Sequence, residues 1–134
     1  MCLASIVMTD TDLSNPAGIV DFSSATPELT LSKPPPDRVL AGSPEQKTRN
    51  YFSDATGQFF AGAWESSPGR WRVRYTETEF CHITRGCVYI EDEAGRGKTF
   101  RAGDSFVVPA GFVGTWYVKE LTSKLYVIFE SASK

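Results

Sequence analysis

The chain has 134 residues, which fits one domain with one core. Hydrophobic residues make up 41% and charged residues 22%, ordinary proportions for a soluble globular protein. A net charge of −2 with no basic stripe argues against a nucleic-acid partner, and no apolar run approaches the roughly 20 residues of a membrane span.

The opening Met1-Cys2-Leu3-Ala4-Ser5-Ile6-Val7-Met8 is apolar, but it has no basic stretch and soon meets Asp10. No signal peptide is expected from it, the chain reads as cytoplasmic, and Met8 is a candidate start. Residues 1–37 are rich in Ser, Thr, Pro and Asp and end in Lys33-Pro34-Pro35-Pro36-Asp37. Consecutive prolines favour extended polyproline II and stay out of helix interiors and central strands. This stretch reads as an N-terminal arm, either mobile or laid along the domain as an edge strand through Glu28 to Leu31. Residues 38–134 then form the domain proper.

Short strands and turns follow from Val39 onward. Pro44-Glu45-Gln46-Lys47 is compatible with one helical turn. Trp71-Arg72-Val73-Arg74-Tyr75 alternates apolar with charged residues, the pattern of a half-buried strand. Cys87 to Ile90 leads into a hairpin turn at Asp92-Glu93-Ala94-Gly95. Ser105 to Val108 is nearly continuous apolar sequence stopped by Pro109-Ala110-Gly111, and Thr115 to Val118 and Lys124 to Phe129 are two further strands. Turn signals recur throughout and no long helical period interrupts them. The expected class is all-β, a sandwich or barrel.

Strand parity then selects candidate site residues. Trp71, Val73 and Tyr75 share one face, and continuing the alternation brings Glu77 and Glu79 to the same side. Cys81 and Ile83 follow Glu79, while His82, the only histidine, takes the opposite face. A carboxylate that leads a buried strand face is costly unless it is paired, hydrogen-bonded or metal-bound, so Glu79 is the leading candidate. Lys124 and Tyr126 share a face of the last strand, toward either solvent or pocket; an inward Lys124 opposite Glu79 would hold a zwitterionic or carboxylate ligand. A buried Cys81 thiol is ordinarily inert. The three cysteines, Cys2, Cys81 and Cys87, have no paired spacing and suggest neither a disulfide framework nor a zinc site. Aromatic residues at 13%, with Trp64, Trp71 and Trp116 among them, suit a lined cavity or a packed barrel core.

Two blocks carry a family resemblance. Glu79 stands ahead of the turn glycine Gly86 in Glu79-Phe80-Cys81-His82-Ile83-Thr84-Arg85-Gly86, and Gly103 to Gly111 forms a Gly-x5-Pro-x-Gly string. With Trp64-Glu65, Pro68-Gly69-Arg70-Trp71 and Gly114-Thr115-Trp116, they resemble the cupin superfamily, specifically its ureidoglycine aminohydrolase-like branch. The resemblance covers about residues 39–130. It implies an RmlC-like jelly roll, the cupin double-stranded β-helix with an extended N-terminal arm, and a homodimer. Metal-binding cupins would place their ligands at Val73, Tyr75, Glu79 and Gly114, of which only Glu79 is a good ligand. No metal and no cofactor are therefore expected.

The function expected from these residues is binding, with or without conversion, of a small polar metabolite in the barrel interior. Glu79, Tyr75 and Lys124 are the catalytic candidates; Trp64, Trp71, Glu77, Trp116 and Tyr126 are the ligand-binding candidates. The alternative is an enzyme of small nitrogenous metabolites, an aminohydrolase or isomerase, using Glu79 as acid–base group or as metal ligand.

Overall fold

A computed structural model describes residues 16–132, so the expected start at Met8 and the position of Cys2 lie outside the described residues. Eleven strands run in chain order: β1 (Leu29–Ser32), β2 (Val39–Gly42), β3 (Gln46–Ser53), β4 (Phe59–Ser66), β5 (Gly69–Arg74), β6 (Thr78–Arg85), β7 (Cys87–Asp92), β8 (Gly97–Arg101), β9 (Ser105–Val108), β10 (Val113–Val118) and β11 (Thr122–Phe129). A single 3-10 turn at Pro36–Arg38 joins β1 to β2. No described helix is long and apolar enough to cross a membrane.

The strands form two antiparallel sheets, one of six strands in the order β1-β3-β4-β11-β6-β9 and one of five in the order β2-β5-β10-β7-β8. Each sheet draws strands from both halves of the chain, the interleaving of a jelly roll. The expected all-β double-stranded β-helix is therefore the fold observed. β7 and β8 are joined by the expected hairpin. Its Asp92 carboxylate accepts hydrogen bonds from the Ala94 and Arg96 amides at 2.9 and 3.0 Å, fixing the turn locally.

The core lies between the sheets and consists of Trp71, Cys81, Ile83, Val88, Ile90, Val108, Trp116 and Val118. These residues obey the period of two that the sequence showed on β5 and β6. On β6, Glu79, Cys81 and Ile83 are buried while Phe80 and Thr84 are exposed. His82 sits on the outer face, where its Nδ1 shares a 2.8 Å hydrogen bond with Ser105 Oγ on the neighbouring β9.

β1 is the edge strand, antiparallel to β3, at almost the position expected for Glu28 to Leu31. The expected helical turn at Pro44 to Lys47 does not form. Pro44 is buried against Gly69, where a Cβ would come within 2.7 Å of its ring. Gln46 and Lys47 already belong to β3, opposite Ser66 and Glu65. The Glu45 amide donates to Ser67 Oγ at 2.8 Å, and Glu45's carbonyl accepts from the Ser67 amide at 3.0 Å. Cross-strand pairing thus takes the backbone groups that a helical turn would have used.

Two glycines are demanded by geometry. Gly86, between β6 and β7, has φ +79, and a Cβ there would collide with the Leu121 carbonyl and Thr122. Gly114 on β10 leaves room beside the strand, and the ring of Phe112 fills it, together with the Glu91 carbonyl.

Candidate functional site

β6 and β11 lie side by side in the six-stranded sheet, with Lys124 opposite Ile83 and Tyr126 opposite Cys81. The inward parity of β6 brings Glu79 into the interior, and the same parity on β11 turns Lys124 toward it. Lys124 Nζ donates to Glu79 Oε2 at 2.7 Å, with both side chains almost wholly removed from solvent, at 5% and 6% exposure. The other carboxylate oxygen, Oε1, accepts from the Tyr75 hydroxyl at 2.9 Å. A second, weaker contact runs from Lys124 Nζ to Cys81 Sγ at 3.7 Å.

Indoles surround the ammonium. Lys124 Nζ lies 4.6 Å from the ring centre of Trp64 and 4.4 Å from that of Trp116. Trp71 completes the cage, 6.4 Å from both other indoles. Cation–π attraction at desolvated sites reaches about 2 kcal/mol, so the cage offsets part of the cost of burying the charge. Among the described buried side-chain nitrogen and oxygen atoms, Trp116 Nε1 alone has no hydrogen-bond partner. An unused donor thus sits in the wall of the cage.

The electrostatics hold these groups in fixed protonation states. Burial disfavours the ammonium of Lys124, but the Glu79 carboxylate beside it and the hydrogen bonds to Glu79 and Cys81 outweigh that, and its pKa is raised. Burial pushes the Cys81 thiol up to about 12, against the pull of Lys124. The Tyr75 phenol is held well above its ordinary value by burial and by the Glu79 carboxylate beside it. Tyr126 is raised to about 12 by the same two causes. Its hydroxyl donates to Asn50 Oδ1 at 2.7 Å. The interior at neutral pH therefore holds an ammonium and two neutral phenols around Glu79, with a neutral thiol. Such a constellation can orient a zwitterion, stabilise a developing anion through Lys124, or exchange a proton between Tyr75 and Glu79.

Of the eight side chains picked from the sequence, Glu79, Tyr75, Lys124, Trp64, Trp71 and Trp116 meet in this one cluster. Tyr126 stands next to it, inward from β11 and buried. Glu77 does not join it. It lies in the bend between β5 and β6, where its Oε1 accepts from the Thr76 amide at 3.1 Å, because the bend breaks the strand alternation that parity assumed. Asn50 and Phe112 were not recognised in the sequence. Asn50 sits in β3, whose Gln46-Lys47-Thr48-Arg49-Asn50 run carries no apolar alternation. Phe112 packs edge-on against Tyr75 with ring centres 6.2 Å apart, and the only signal for it was its place two residues before the small residue Gly114.

The four positions where the resemblance would put metal ligands do not suit a metal. Val73 offers no donor, and Phe112 fills the space beside Gly114. Both oxygens of Glu79 are committed, one to Tyr75 and one to the Lys124 ammonium. Among the described residues no three His, Cys, Asp or Glu side chains converge on one point. Lys124 supplies to Glu79 the positive charge that a metal would supply.

Of three clefts, two border the cluster and the largest is separated from it by Phe112, which packs on Tyr75. The largest, about 350 Å3, opens between β8 and β9 and is walled by Ile90, Phe100, Phe106, Val108 and Phe112. A second of about 290 Å3 touches Trp71, Tyr75 and Glu77. A third of about 150 Å3 touches Trp64 and Lys124.

The EutQ-like cupin domain family matches residues 53–126, more than half of the chain, and the chain belongs to that family. Among solved structures, a protein of unknown function from Pseudomonas syringae pv. tomato is 25% identical, with a TM-score of 0.70, over 75% of this chain; the match spans 44% of that protein's length. The EutQ protein of Clostridium difficile is 18% identical over 67% of this chain and 66% of its own, with a TM-score of 0.60. An RmlC-like cupin from Shewanella frigidimarina is 12% identical over 70% of this chain and 82% of its own, with a TM-score of 0.52. No curated protein matches the sequence. The last two likenesses are of fold.

The paired charges and the buried thiol generate two predictions. Removing one partner, in Glu79→Leu or Lys124→Met alone, leaves an uncompensated buried charge and costs about 3–5 kcal/mol of stability, while the double variant recovers most of that loss. Urea denaturation of the three variants measures this, and a double variant as unstable as the worse single one would contradict it. The second concerns alkaline pH. Cys81, Tyr75 and Lys124 all keep their protons in the folded chain at pH values where the unfolded chain, with ordinary values of 9.0, 10.0 and 10.5, has begun to release them. Their contribution is complete below pH 9.0 and is lost as pH rises beyond it. The melting temperature should be flat from about pH 7 to 9.0 and fall above it; a rise across that alkaline range would contradict the assignment.

Proposed function

We propose that this protein is a small-molecule-binding cupin whose ligand is a small zwitterionic or carboxylate-bearing nitrogenous metabolite, held at the Tyr75–Glu79–Lys124 cluster. One observation carries the reading: a carboxylate and an ammonium are held 2.7 Å apart in an indole cage whose Trp116 N–H has no partner. A buried ion pair of this kind is a poor way to add stability, because hydrophobic residues of similar volume do as well. Its use is better sought in recognition. A ligand ammonium would take up Glu79, and a ligand carboxylate would take up Lys124 and the free indole N–H. The apolar cleft between β8 and β9 offers access, with Phe112 against Tyr75 as the side chain that has to move. The aminohydrolase-like chemistry of the resembling branch is not carried over, because its metal has no ligand set here.

Titration of intrinsic tryptophan fluorescence with amino acids, small amines and small carboxylates tests this reading. Binding of the zwitterionic class should quench or shift the emission, and Glu79→Gln with Lys124→Gln should weaken it by roughly a hundredfold, as expected for two charged hydrogen bonds. No response to any class, or unchanged binding by a folded double variant, would overturn it.

We propose further that the chain acts as the homodimer the resemblance implies, through the outer face of the six-stranded sheet. Phe80, Val107 and Phe129 are 42%, 58% and 51% exposed there, and Phe59 and Phe52 continue the patch. Phe80 pairs with Val107 across β6 and β9 and with Val127 across β11, so these side chains form one surface over β11, β6 and the edge strand β9. Contiguous apolar area of this kind marks interaction sites. Light scattering should give a dimer mass for the native chain and a monomer mass for Phe80→Lys with Val107→Lys. A native monomer, or a dimer that survives both changes, would contradict it.

A further inference from the structure

The cleft of about 290 Å3 beside β5 has a chemistry unlike that of the interior. Four cations border it, Lys33 from the arm, Arg38 from the 3-10 turn that ends it, and Arg72 and Arg74 from β5, against one carboxylate, Glu77. The whole chain carries a net charge of −2, so this gathering runs against its overall balance. The ion pairs among the described residues join Lys47, Arg70, Arg96 and Lys124 to carboxylates and leave these four cations out. Glu77 is turned to the amide and hydroxyl of Thr76 at 3.1 and 3.3 Å, and does not neutralise them.

The fold holds the cations in place. β2 pairs with β5 only from Gly69 to Trp71, so Arg72 to Arg74 have no strand neighbour on that side. Arg72 and Arg74 are two apart on one strand face, about 6.6 Å along the strand. The arm crosses this open edge. Buried Pro34 and the 3-10 turn at Pro36–Arg38 fix its course, since proline has little freedom to lose. Lys33 and Arg38 are thereby set on rigid backbone opposite the two arginines.

We infer that this cleft is a binding site for a small organic anion carrying at least two negative charges, a phosphate ester or a di- or tricarboxylate. Paired guanidinium groups bind phosphate and carboxylate oxygens bidentately, which point charges do not. The site is separate from the Glu79–Lys124 pair and does not rest on the reading of the interior, although Trp71 and Tyr75 border both. It also gives the proline-rich stretch a task, which is to carry half of an anion clamp.

Calorimetric titration of the full chain with pyrophosphate and with citrate, at low salt, tests the inference. Binding of either supports it, and the preferred one tells phosphate from carboxylate chemistry. Arg72→Gln with Arg74→Gln should weaken that binding by roughly tenfold or more, and Arg38→Gln by a smaller factor. Glu77→Gln should tighten it, because the one opposing charge is removed. Lys119→Gln, a cation elsewhere on the surface, should leave it unchanged. Absence of heat with both anions overturns the inference, as does equal weakening by Lys119→Gln, which would mean unspecific charge attraction. Binding left at full strength by a folded Arg72→Gln, Arg74→Gln variant overturns it as well, and assigns the anion elsewhere.

Discussion

The interior of this barrel is organised by one ion pair. Placing Glu79 and Lys124 out of water is expensive, and their surroundings are arranged around that cost. The carboxylate is satisfied on both oxygens, by the ammonium and by the Tyr75 hydroxyl. The ammonium is satisfied by Glu79, by the Cys81 sulfur and by the faces of Trp64 and Trp116. These groups come from β4, β6, β10 and β11 and from Tyr75 just past β5, so the pair draws on both sheets. Few residues could change alone without leaving a charge exposed to a low dielectric.

The pair also decides what the barrel can do. A carboxylate engaged by a protein ammonium is unavailable to a metal, and the neighbouring positions Val73 and Gly114 bring no replacement. What the arrangement offers is a dipole of fixed sense with one free donor beside it. In the proposed reading that dipole recognises a ligand of matching polarity. The cleft at the open edge of β5, the proposed anion site, sets four cations against one carboxylate and would select a different class of molecule. The two sites share Tyr75 and Trp71 as a common wall, which makes coupling between them physically natural.

Strand parity made much of this legible. On β5 and β6 the alternation is clean, and it brought Trp71, Tyr75, Glu79 and Cys81 inward from sequence alone. For Lys124 parity gave a face but not a direction, and only the pairing of β11 with β6 turns it toward Glu79. The alternation that carried Glu77 to the inner side stops at the bend of Thr76 and Glu77, because a bend does not preserve it. β3 was unreadable because its half-buried positions include the polar Gln46 and Thr48, and because Asn50, which accepts from the Tyr126 hydroxyl, sits among polar residues with no apolar alternation to mark it. The helical turn expected at Pro44 failed because the local preference was outweighed by cross-strand hydrogen bonds to Ser66 and Ser67. The basic cleft was invisible for another reason: Lys33, Arg38, Arg72 and Arg74 are scattered in sequence and meet only when the arm folds back over β5.

The most direct test of this account is to observe the Lys124 amino group itself, by nitrogen NMR of lysine-labelled protein, with Lys124→Met to assign the signal. The account predicts a slowly exchanging ammonium, shifted by the ring currents of the two indoles, that stays charged up to and beyond the ordinary lysine value of 10.5. A neutral amine that titrates well below that value, or a rapidly exchanging ammonium without ring-current shift, would show that the pair does not exist in solution.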